Sequence, residues 1–60
     1  MKHVTVPVFE VKCYDLVVVE FTLSHAAADE AYRKSTARRK TLTKIMPVSG
    51  QRITLQSVYG

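Results

Sequence analysis

The chain has 60 residues, of which 47% are hydrophobic and 23% charged, with a formal net charge of +4 and a single cysteine. That balance excludes a disordered tail, one thiol excludes an internal disulfide framework, and the longest apolar run, residues 16–19, is far too short to cross a bilayer. What remains is one small domain over 1–60, thin enough that a homodimer or a larger partner is expected to complete its core.

Residues 4–11 (VTVPVFEV) are rich in β-branched and aromatic side chains and predict a first strand. Pro7 interrupts it, because proline cannot donate to a ladder and belongs at an edge, a bend or a strand start. Residues 12–15 (KCYD) form the polar break before the next apolar run and predict a hairpin turn. Residues 16–23 (LVVVEFTL) are the strongest strand signal. Alternation puts Val17, Val19, Phe21 and Leu23 on one face, expected to pack on the helix, and Leu16, Val18, Glu20 and Thr22 on the other. The second set is only half polar. Leu16 and Val18 are therefore a second candidate interface on an outer face that something else partly covers.

Residues 25–45 read as one amphipathic helix. Ser24 is placed to accept a first-turn amide proton as N-cap, and Ala26, Ala27 and Ala28 are strong helix formers. Asp29 with Arg33 and Glu30 with Lys34 are i,i+4 pairs in the favourable orientation. At 3.6 residues per turn, Ala28, Ala31, Tyr32, Ser35, Leu42 and Met46 share a packing stripe, while Arg33, Lys34, Arg38, Lys40 and Lys44 share a basic face. Arg39 falls into the apolar stripe, as a snorkelling side chain or as an interface anchor.

Pro47 ends the helix, and residues 48–50 make a turn in which Gly50 supplies a positive φ. Residues 52–59 (RITLQSVY) predict a third strand. The expected fold is thus a small α+β domain, β-β-α-β, with a three-stranded, mainly antiparallel sheet and one basic helix on one face. The strand order 2-1-3 makes every neighbouring pair antiparallel. The alternative, 1-2-3, spares Pro7 a central strand.

The inventory for chemistry is poor. Cys13, His3, His25 and Asp15 form no nucleophile–base pattern, no metal-ligand spacing is present, and Gly50 and Gly60, the only glycines, make no phosphate loop. The expectation is a non-enzymatic protein without cofactor or metal. Charge is the remaining signal. All five acids precede residue 31, against Lys2 and Lys12, whereas Arg33, Lys34, Arg38, Arg39, Lys40, Lys44 and Arg52 follow with no acid among them. These seven are the candidate binding residues. The preferred reading is a module that docks on a larger, acidic protein partner and modulates or inhibits it, as accessory proteins of phages and mobile elements do. The alternative is non-specific DNA or RNA binding through the basic helix face. A lone thiol and the lack of a signal-peptide pattern point to a cytoplasmic setting without membrane association.

Overall fold

The computed structural model describes residues 6–59. The elements are β1 (Val8–Cys13), β2 (Val18–Thr22), α1 (His25–Lys34), β3 (Arg39–Ile45) and β4 (Arg52–Tyr59). They form a four-stranded sheet in the order β2-β1-β3-β4, antiparallel throughout, with α1 packed on one face. The α+β class and the single helix agree with the sequence. The number of strands does not.

The extra strand comes from the expected helix. Residues 25–34 are helical, but the chain leaves the helix at Ser35, and residues 39–45 are extended. The cause is local. Ser35 turns its hydroxyl to the Ala37 amide at 3.2 Å, a side-chain bond to the backbone that competes with helical pairing. Thr41, Thr43 and Ile45 then alternate with Lys40, Leu42 and Lys44, a β-branched, two-residue period. β3 therefore takes the place beside β1 that residues 52–59 were expected to fill, and β4 lies outside it. Pro7 stands just before β1, so a central strand loses no ladder bond to it. Val4 and Thr5, the predicted start of that strand, lie outside the described residues.

The core lies between α1 and the central strands. Phe9, Val11 and Cys13 of β1, Leu42 of β3, Ala28 and Tyr32 of α1, and Ala37 are buried, with Ala31 packed against them. Ala28, Ala31 and Tyr32 occupy the helix stripe read from the sequence, and Leu42 reaches the same core from a strand. The helix start is capped as expected: Ser24 Oγ accepts from Ala27 N at 3.2 Å. The His25 ring, opening the helix, stacks on Phe9 with centroids 4.9 Å apart.

The turn between β1 and β2 falls at residues 14–17, two residues later than expected, because Lys12 and Cys13 stay in the ladder opposite Val19 and Val18. The two-residue shift leaves the facing of β2 unchanged, because side chains alternate with a period of two, and pairing with β1 sets that facing. Thr22 pairs with Phe9, Glu20 with Val11 and Val18 with Cys13, so these three lie on the helix side. Val19 and Phe21, expected to pack on α1, lie on the uncovered side. In this turn Val17 has φ 53°, whereas in the β3–β4 turn the positive φ of 72° belongs to Gly50.

Candidate functional site

The seven basic residues do not share a helix face. Arg33 and Lys34 are on α1, and each is bridged to the acid one turn earlier, Asp29 at 3.3 Å and Glu30 at 2.7 Å. Arg38 and Arg39 lie at the entrance to β3, where their amides donate to the Asp15 carboxylate at 3.0 and 3.3 Å. The bond from the Arg38 amide is the chief reason that Asp15 titrates below the ordinary carboxylate range, with the Arg39 amide and charge acting in the same direction. Asp15 thereby ties the β1–β2 turn to the start of β3.

Lys40 is a structural residue. It is buried, its Nζ donates to the Tyr32 carbonyl and, at 3.0 Å, to the Ser35 carbonyl, and it lies 4.6 Å from the centre of the Tyr32 ring. It closes the C-terminal end of α1, where carbonyls lack helical partners and the dipole favours a cation. Lys44 is half-buried on the helix side of β3, opposite Phe9. Arg52 is bonded to Glu10 across the uncovered face. The expectation of one basic helix face is therefore corrected: the cations divide among α1, β3 and β4, and Lys40 is inside.

Leu16 and Val18 are half-exposed, but not on an outer sheet face. They line a groove of about 370 Å³ between β2 and α1, with Val11, Cys13, Ala31 and Lys34 among its other walls. The groove lies on the helix side of β2, where Val18 and Glu20 remain exposed. In its wall the Cys13 thiol lies 3.1 Å from the Ser35 hydroxyl. Among the described residues no three His, Cys, Asp or Glu side chains gather as metal ligands, and no helix is long and apolar enough to cross a membrane.

The face away from α1 is the surface that the sequence reading missed. By register it carries Val19 and Phe21 from β2, Val8, Glu10 and Lys12 from β1, Arg39, Thr41, Thr43 and Ile45 from β3, and Arg52, Thr54, Ser57 and Tyr59 from β4. Phe21 is 62% exposed and Val19 46%, whereas Glu10, Thr41 and Thr43 are buried in the central strands. The single acid in that set, Glu10, is bonded to Arg52. Lys12, whose Nζ sits 4.8 Å from the Tyr14 ring centre, and Arg39 form no side-chain ion pair among the described residues. The face is apolar at the β2 edge and net positive across its middle. The sequence held a signal for it: Glu20 and Thr22 are poor residues for a helix-facing row only if β2 is central, and β2 is an edge. Comparison with family models, with curated proteins and with solved structures finds no match to this chain.

Proposed function

We propose that the protein is a non-enzymatic binding module that docks a larger, acidic protein on the uncovered sheet face and modulates or inhibits it. The observation that carries this reading is Phe21, a large apolar side chain 62% exposed on the same face as Lys12 and Arg39, neither of which forms a side-chain ion pair among the described residues. An exposed aromatic anchor on a face that also carries arginine and lysine is the chemistry of an interface meeting carboxylates. The central threonines supply a flat, rigid floor beneath it.

A second reading has its own support. Phe21 and Tyr59, with Lys12, Arg39 and Arg52, also suit a single-stranded nucleic acid, whose bases stack on sheet aromatics while cations neutralise its phosphates. The helix-face version of nucleic-acid binding has lost its geometry.

One experiment separates the two. The tagged chain, Phe21→Ala and Arg39→Glu are used as baits in native lysate with and without nuclease, with folding followed by circular dichroism. A protein retained at near-stoichiometric amount after nuclease, and lost from both variants, supports docking. The affinity of that protein should fall by about thirtyfold for Phe21→Ala, the scale of a single aromatic anchor. Binding that disappears with nuclease supports the second reading. A protein retained equally by both variants removes the uncovered face from the proposal.

A further inference from the structure

We infer that β4 pairs antiparallel with β4 of a second copy of this chain, joining two sheets into one of eight strands. The two edges of the sheet differ in how they are guarded. β2 has five residues and a carboxylate, Glu20, at its centre. Short length and a charge are the ordinary means of discouraging strand addition. β4 has eight residues, every one exposed, with no proline, lysine or acid, and its one charge, Arg52, is bonded inward to Glu10. Among the described residues, one whole side of its backbone has no neighbouring strand. Such an edge is a template for another strand.

The irregularity within β4 identifies that strand. In a regular strand of eight residues, the first and last are seven apart and point to opposite faces. A two-fold antiparallel pairing over all eight would then set a residue of one face against a residue of the other. β4 is not regular. Leu42 pairs with Gln56 and Thr43 with Thr54, so Leu55 is an extra residue that resets the alternation. Through their partners on β3, Arg52, Thr54, Ser57 and Tyr59 share the uncovered face, and Ile53, Gln56 and Val58 share the helix side. Read inward from both ends, the faces now match.

A dyad between Leu55 and Gln56 sets Arg52 against the second copy's Tyr59, Ile53 against its Val58, and Thr54 against its Ser57. Each pairing is chemically suited: the aliphatic stem of Arg52, whose guanidinium stays on Glu10, beside an aromatic ring, two β-branched apolar side chains, and two hydroxyls. A cyclic two-fold contact needs this self-complementarity, in which the same patch meets itself. The axis stands perpendicular to the sheet, so both helices lie on one side and both uncovered faces run together on the other. The pairing holds whatever docks on that face.

Two double variants test it at the same two positions. Thr54→Glu with Ser57→Glu places like charges across the dyad. Thr54→Lys with Ser57→Glu places opposite charges there. Sedimentation equilibrium of the full chain should show mass doubling with concentration for the wild type. Dissociation should be at least about tenfold easier for the like-charge variant and unchanged or harder for the opposite-charge one. Circular dichroism of both verifies the fold. A wild type that stays monomeric throughout overturns the proposal. So does equal behaviour of the two folded variants, whether both associate or neither does, because the register then fails.

Discussion

β1 and β4 are both strands of alternating apolar and polar residues, and they fare oppositely. In β1, Phe9, Glu10, Val11 and Cys13 are buried, the glutamate included; in β4 no residue is, although Ile53, Leu55, Val58 and Tyr59 are no less apolar. The difference is place in the sheet. β1 is flanked by strands on both sides and covered by α1, whereas β4 borders one strand and extends past the helix. From β4 the Gln56 side chain reaches the helix, its Nε2 donating to Asp29 Oδ1 at 2.8 Å. Burial here is a property of position that the composition of a strand does not disclose.

The sharpest way to break that comparison is to truncate one residue in each region. Leu42→Ala, at a fully buried site on β3, should cost about 3 kcal/mol in urea-denaturation stability. Ile53→Ala, on the exposed edge and measured at dilution, should cost about 1 kcal/mol or less. Equal losses would mean that β4 is buried in solution. Lys40→Met comes next. It keeps the stem but leaves the Tyr32 and Ser35 carbonyls without their donor, at an expected cost of about 2 kcal/mol with reduced helical ellipticity.

The smallest effect is on pH dependence and concerns Asp15. Its folded-state pKa lies below the unfolded value, so it contributes stability above the unfolded value and loses it as pH falls through the folded one. Wild type and Asp15→Asn should therefore differ in melting temperature near neutrality and converge in acid. A difference that persists at the lowest pH would assign the effect to geometry instead of charge.

These contrasts also mark what was legible. The cap at Ser24, the stripe of Ala28, Ala31 and Tyr32, the ion pairs on α1 and the glycine turn are local, and a local reading finds them. The end of the helix was not, because Arg38 to Lys44 has helix-compatible spacing of apolar and basic residues, and only the Thr41–Thr43–Ile45 alternation argues for a strand. Lys40 illustrates the cost: a cation counted as surface charge is inside, closing the helix from a neighbouring strand. The facing of β2 was misjudged because its uniformly apolar row was assigned to the helix, whereas pairing with β1 puts the half-polar row of Val18, Glu20 and Thr22 on that side. Phe21 passed from core to surface by that step alone.

The two turns carry a consequence for the order in which the chain assembles. Val17 adopts a left-handed backbone conformation that costs a residue with a Cβ about 1–2 kcal/mol, while Gly50 adopts one freely. The hairpin of β1 and β2 therefore closes against a turn penalty that the hairpin of β3 and β4 does not carry. β1 is held instead by its partner β3, 31 residues downstream at the Val11–Leu42 pair, a contact of high sequence separation that forms slowly. On the ribosome the first half of the chain emerges without the strand that secures it. The C-terminal hairpin is therefore expected to form ahead of the pairing of β1 with β3, which a lower φ-value at Val11 than at Ile53 would show.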